Sequence, residues 1–382
     1  MASLIAGILK SAFAYSVTTH VQHKEISIMR SAILTLVATF VACGAAVGAE
    51  PNEHLKDFGP FIGNWRYEGP FLHDVSDEGE KGTKCVVDFS WRWILGKHAV
   101  MMDWSVNFEE GATLSGKKLS GWNAAEEKIV GGGMSSMGGM GISSSVIDGN
   151  TITTTVENVD DSGTKSSTQF FIKKKEKDTL TWQPLGRTVG DVEGESPIYT
   201  FKRIKRKDAK KAADTGQVPQ ELKGFGPFVG QWRYDGKLLE DVPGFHEKGA
   251  PLVVRLSIRR ILDKKVVMED WLMQFADGNE LSAKVLVGWN AADSKLAVGL
   301  MNSVGAIALG NVKLDPEAKT STLSTTGVNV EGEETSYQAM LEKTGKDTLT
   351  WQRLGASAGL VEGEGPVYEF KRVKRSGKKA TK

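Results

Sequence analysis

The chain has 382 residues, 48 of them basic and 47 acidic, for a formal net charge of +1. So even a balance excludes a global electrostatic case for nucleic acid or an anionic membrane surface as partner. Only two cysteines exclude a disulfide framework, and 43 glycines among short alternating apolar runs point to β structure.

The first 49 residues stand apart. From Met29 the chain reads Met-Arg-Ser-Ala-Ile-Leu-Thr-Leu-Val-Ala-Thr-Phe-Val-Ala-Cys-Gly-Ala-Ala-Val-Gly-Ala49, a basic start, a short apolar stretch and small residues at Val47 and Ala49. That pattern predicts a secretory signal peptide over residues 1–49, cleaved after Ala49, with Met29 as the true start. Phe40-Val-Ala-Cys43 approximates a lipobox, and a membrane partner is expected only if Cys43 is lipidated. After cleavage Cys85 is the one cysteine left. The setting implied is periplasm, cell envelope or extracellular space.

A first domain is expected over residues 50–205. It opens with a turn near Glu53 to Phe58 and a strand from Asn64 to Glu68. From Cys85 the residues Cys85, Val87, Phe89, Trp91 and Trp93 share one strand face, and Val86, Asp88, Ser90 and Arg92 share the other. Leu95-Gly-Lys-His98 reads as a hairpin, after which Val100, Met102, Trp104, Val106 and Phe108 repeat the apolar face. Further strands are predicted near 115–123, 128–136, 140–147, 151–158, 167–174, 179–184 and 197–205, with Asp148-Gly149-Asn150 and Asp160-Asp-Ser-Gly163 as turns. About ten successive antiparallel strands expose edges unless they close into an up-and-down barrel.

A basic linker over 206–221 leads to a second copy over 222–375, and residues 376–382 form a basic tail. Phe58-Gly-Pro-Phe-Ile-Gly-Asn-Trp-Arg-Tyr67 returns as Phe225-Gly-Pro-Phe-Val-Gly-Gln-Trp-Arg-Tyr234, and Lys177-Asp-Thr-Leu-Thr-Trp-Gln183 as Lys346-Asp-Thr-Leu-Thr-Trp-Gln352. Trp65, Trp104 and Trp122 recur 167 residues later as Trp232, Trp271 and Trp289, while Trp182 recurs after 169 as Trp351. Such a period is far longer than a solenoid repeat, so the prediction is an all-β protein of two tandem barrels, each with its own core.

Gly63-Asn-Trp65 and Gly230-Gln-Trp232 on a first strand, followed by an antiparallel barrel, resemble the calycin superfamily of lipocalin-like domains. Trp93-Ile-Leu-Gly96, Ser120-Gly-Trp-Asn123 and the glycine-rich run Gly131 to Gly141 look like an uncharacterised family of exported bacterial calycin-like domains. The second copy departs, with Arg260-Ile-Leu-Asp263 and Met301-Asn-Ser-Val-Gly-Ala306 at those places. The resemblance implies that the first-strand tryptophan packs under a basic side chain of the last strand and plugs one end. Trp65 with Arg203, and Trp232 with Arg372, suit that role, since a guanidinium stacks on an indole face.

Several constellations invite chemistry. Met134, Met137 and Met140 have the soft sulfur of a copper(I) site, but Val304 and Ile307 stand at the last two positions in the second copy. His54, His73 and His98 face Glu221, Glu240 and Lys265 there, His246 has no counterpart, and Cys85 is replaced by Leu252, so neither haem, metal nor a thiol nucleophile is expected. His98 at a hairpin is expected to be solvated. Asp103 and Arg92, matched by Asp270 and Arg259, read as a cross-strand pair on the outer face. The aromatic faces remain: Trp91, Trp93, Trp104 and Phe108 in one barrel, and Ile258, Arg260, Trp271 and Phe275 in the other, are the candidate ligand-binding residues.

The leading expectation is therefore an exported, cofactor-free, non-catalytic protein that binds a small, largely apolar ligand in one or both barrels. The alternatives are a barrel hydrolase or isomerase acting through Asp103, Arg92 and His98, and an envelope interaction module with solidly packed barrels. Oligomeric state and ligand identity stay open.

Overall fold

A computed structural model describes residues 51–72, 80–109, 111–187, 197–205, 217–241, 246–329, 331–357 and 363–374. The expected signal peptide, Met29, Cys43, His73, most of the linker and the basic tail lie outside them. The first copy forms β1 (Gly63–Pro70), β2 (Lys84–Ile94), β3 (Ala99–Phe108), β4 (Thr113–Asn123), β5 (Lys128–Ser135), β6 (Met140–Asp148), β7 (Thr151–Val159), β8 (Lys165–Glu176), β9 (Thr179–Arg187) and β10 (Tyr199–Ile204). The second forms β11 (Gly230–Lys237), β12 (Pro251–Ile261), β13 (Val266–Phe275), β14 (Glu280–Asn290), β15 (Lys295–Asn302), β16 (Ile307–Asp315), β17 (Thr320–Val328), β18 (Glu334–Gly345), β19 (Thr348–Ser357) and β20 (Val367–Arg372).

Each set closes into an antiparallel barrel in which β1 pairs with both β2 and β10, and β11 with both β12 and β20. Closure satisfies the edge hydrogen bonds that ten strands in a row would otherwise expose. Strand alternation then sorts the side chains: Cys85, Val87, Phe89, Trp91 and Trp93 of β2 pack into the core of barrel 1, as Leu252, Val254, Leu256 and Ile258 of β12 pack into that of barrel 2. The two extra residues of the second copy fall between β16 and β17, where Asp315 to Thr320 replaces the tighter Asp148 to Thr151 turn. The turn after β2 runs through three left-handed residues, Leu95, Gly96 and Lys97 at φ 52°, 60° and 70°. Leu262, Asp263 and Lys264 repeat it at 51°, 53° and 64°, so this conformation survives the loss of the glycine.

A third core lies between the barrels, where outward residues of both copies meet: Leu95, Ala99, Met101, Leu119 and Met134 against Ile261, Val266, Met268, Leu286, Met301 and Ile307. The contact is nearly two-fold. Met134 Sδ lies 2.7 Å from where a side chain on Gly288 would begin, and Ile307 and Met301 sit likewise against Gly121, the equivalent glycine, at 2.9 and 3.5 Å. Gly163 approaches the backbone of Ala291 and Ala292 as Gly332 approaches that of Ala124 and Ala125. Equivalent patches facing each other are the signature of an isologous dimer, here within one chain.

Candidate functional site

The closed end is alike in both barrels. Trp65 is fully buried, its Nε1 donates to the Phe61 carbonyl at 2.8 Å, and two cations approach its ring, Arg203 at 4.1 Å and Lys174 at 4.2 Å from the centroid. Trp232 does the same with Phe228 at 2.7 Å, Arg372 at 4.1 Å and Lys343 at 5.0 Å. The guanidiniums also donate to carbonyls of the entering turn, Arg203 to Ile62 at 2.9 Å and Arg372 to Val229 at 3.0 Å. The glycine of Gly-x-Trp follows from that geometry. Gly63 and Gly230 have φ of 142° and 152°, and a Cβ there would stand 2.2 and 2.4 Å from Nη1 of the arginine.

Above the plug the interiors diverge. In barrel 2 a cavity of about 80 Å3 is lined by apolar side chains including Met273, Val285, Leu300 and Leu323, by Trp271 and Trp351, and by Glu269 and Tyr337. Glu269 is 7% exposed; its Oε2 accepts a hydrogen bond from Trp271 Nε1 at 3.0 Å, and burial pushes its carboxyl up from the ordinary 4.5 to about 7. Burial likewise raises the pKa of the Tyr337 phenol. Arg353 is buried too, and its Nη2 meets Glu240 Oε2 at 2.9 Å while Nη1 donates to the Gly363 carbonyl at 2.9 Å. Since Thr348 pairs with Lys371 and Gln352 with Val367, Arg353 stands at the end opposite the Trp232 plug.

Barrel 1 carries different residues at every polar station. Met102 replaces Glu269, Thr168 replaces Tyr337 and Pro184 replaces Arg353. Its one inward charge on β4 is Lys118, where barrel 2 has Val285. Lys118 is partly buried, and desolvation pulls its amine down to about 8. The glycines of β5 make room for it, since a Cβ on Gly131 would lie 3.0 Å from Lys118 Cε and one on Gly133 3.5 Å from its Cβ. Val298 and Leu300 fill those places in barrel 2. Trp104 rests on Gly116, whose missing methyl would sit 2.4 Å from the ring; Ala283 carries that methyl in barrel 2, so Trp271 must lie elsewhere and meets Glu269.

Of the eight residues expected to bind ligand, Trp271 lines the cavity. Trp91 is committed to the closed end against Phe58 and Phe61, with centroids 5.5 and 6.1 Å apart, and Trp93 packs beside it. Phe108 meets Phe71 edge-on, Phe275 stacks on His246 at 4.0 Å, and Ile258 is buried in the core. Arg260 turns its guanidinium toward Gly226 at the plugged end, and its Nε has no hydrogen-bond partner.

The other candidates scatter. Asp103 and Arg92 pair on the outer face at 3.2 Å with Lys117 joining them, and Asp270, Arg259 at 3.0 Å and Lys284 repeat the triad. His98 departs from the solvated hairpin residue expected: its Nδ1 is buried without a partner, and desolvation lowers its pKa. Met134 is buried in the seam with Met140 beside it, whereas Met137 packs against the core of barrel 1. Cys85 is a buried free thiol raised by desolvation. Glu269 and Lys118 were not among the candidates, yet parity marks them, because the same alternation that turns Trp271 inward turns Glu269 inward.

No family model matches the chain, and no curated protein matches it. Among solved structures it is similar to a protein of unknown function from the DUF3598 family of Nostoc punctiforme, 10% identical over 84% of this chain and 100% of that one, with a TM-score of 0.23.

Proposed function

We propose that the protein is an exported, non-catalytic binding protein for a small, largely apolar ligand, and that the interior of barrel 2 is the binding site. The apolar run ahead of Glu50 supports the export, and the cavity of about 80 Å3 supports the site. A barrel of this size either fills with side chains or keeps room for one small ligand. Barrel 2 keeps room because Ala339 stands where barrel 1 has Phe170, which packs against Trp182 with centroids 6.0 Å apart.

Two indoles in the wall supply the readout. Titration with small apolar compounds is expected to shift the emission of Trp271 and Trp351 and to leave the response of an Ala339→Phe variant flat, because the phenyl ring occupies the space. An Ala339→Phe protein that responds like the parent would remove barrel 2 as the site.

A further inference from the structure

Resting on that reading, we propose that the barrel 2 cavity takes a small organic ammonium ion, its nitrogen seated on Oε1 of Glu269 and its alkyl part among Met273, Leu300 and Leu323. Among the described residues Oε1 accepts no hydrogen bond, while Oε2 is held by Trp271 at 3.0 Å. The carboxyl group is thus oriented from one side and open on the other.

The charges around it are otherwise accounted for. Arg353 and Glu240 neutralise each other at 2.9 Å, and Tyr337 is a neutral phenol. Arg260, two places along the neighbouring strand from the partner of Glu269, reaches toward Gly226 instead, and Val285 on β14 is apolar. Asn302 Oδ1 is engaged by the amides of Val304 and Ala306 at 3.1 and 3.0 Å. Glu269 is therefore the one ionisable group facing the cavity without an opposite charge among the described residues. An isolated carboxylate in an apolar space is unfavourable, and a cation brought in by the ligand removes the penalty. Trp271, Trp351 and Tyr337 add aromatic walls, which attract a desolvated ammonium and not an anion.

Size and contrast narrow the class further. A cavity of order 150 Å3 takes up benzene, so about 80 Å3 suits an amine of roughly three to five heavy atoms. Barrel 1 has Met102 in place of the acid and a lysine ammonium in its interior, which repels the same ion. When Glu269 is protonated, ammonium uptake leaves a carboxylate–ammonium pair and releases one proton to solvent; when it is already ionised, none is released. Binding therefore weakens as pH falls through about 7.

Calorimetric titration of the full chain with propylamine, and with propanol as its neutral counterpart, tests this. Propylamine is expected to bind, about tenfold more weakly at pH 6 than at pH 8 because the competent carboxylate falls by that fraction, with proton release at pH 6. Glu269→Gln is expected to weaken propylamine at least tenfold at pH 8 while leaving propanol unchanged, and circular dichroism checks that the variant is folded. If propanol binds and Ala339→Phe abolishes it, but propylamine binds no better and ignores Glu269→Gln, the ammonium assignment falls and the cavity remains a ligand site. If neither compound binds, both readings fall together.

Discussion

Barrel 1 and barrel 2 share a plug, a strand order and a seam, yet one interior carries a lysine and the other a glutamic acid. The differences come as sets. Lys118 is accompanied by Gly131 and Gly133, and Val285 by Val298 and Leu300; Trp104 lies on Gly116, and Trp271, displaced by Ala283, bonds Glu269. Each set exchanges volume for volume, as a close-packed interior requires. The frame tolerates opposite charges inside provided the neighbouring strand is cut to fit.

The largest expected effect tests the shared part. Trp65→Ala and Trp232→Ala each remove a fully buried indole and are expected to cost about 3–5 kcal/mol, measured by urea unfolding; a cost confined to one barrel would show that the two plugs are not equivalent. The interior charges come next, with opposite signs in pH. Glu269 has a folded pKa above its ordinary value, so its contribution is fully present below 4.5 and is lost as pH rises through about 7. That rise corresponds to about 3 kcal/mol, and Glu269→Gln is expected to abolish the decline between pH 4 and pH 8. Lys118 has a lowered folded pKa, so its contribution is present above 10.5 and is lost as pH falls through about 8. Lys118→Met is accordingly expected to stabilise barrel 1 below pH 8, and two variants whose stability curves shift the same way with pH would break the contrast.

Smaller effects sharpen it. Gly116→Ala is expected to cost about 1–3 kcal/mol and to change the emission of Trp104, since the new methyl overlaps the ring; unchanged thermal unfolding and emission would show that the two do not pack together. At the bottom of the scale, Asp103→Asn and Asp270→Asn each disrupt a partly exposed outer triad and are expected to cost under about 1 kcal/mol. Equal, small shifts in denaturation midpoint fit, and a loss of ligand response in either variant would move function to the outer face.

Much of the frame was legible in the sequence. Alternation along Cys85 to Trp93 names the inward face directly, and the duplicated Gly-x-Trp marks the start of each barrel. The candidate site was legible only in part. Aromatic residues drew attention to Trp91 and Phe108, which the closed end and the loop at Phe71 engage. Glu269 stands directly before Asp270 and Lys118 directly after Lys117, and without parity they read as solvated surface. The seam was less visible still: Met101, Leu119, Met134 and Met268 sit on nominally outer faces, and nothing local distinguishes an outer face that meets water from one that meets a second barrel.

By itself the sequence determined two tandem barrels, because strand periodicity and the internal repeat are read directly along the chain, whereas the plugs were implied by a family resemblance, since Arg203 and Arg372 lie at the far end of each copy from the tryptophans they cover. Tertiary structure decided which interior keeps a cavity, which buried charge goes unpaired and how the copies meet. Those depend on the volumes and partners supplied by strands that are distant in sequence, and burial, which sets the protonation of Glu269 and Lys118, exists only once all ten strands have closed around them.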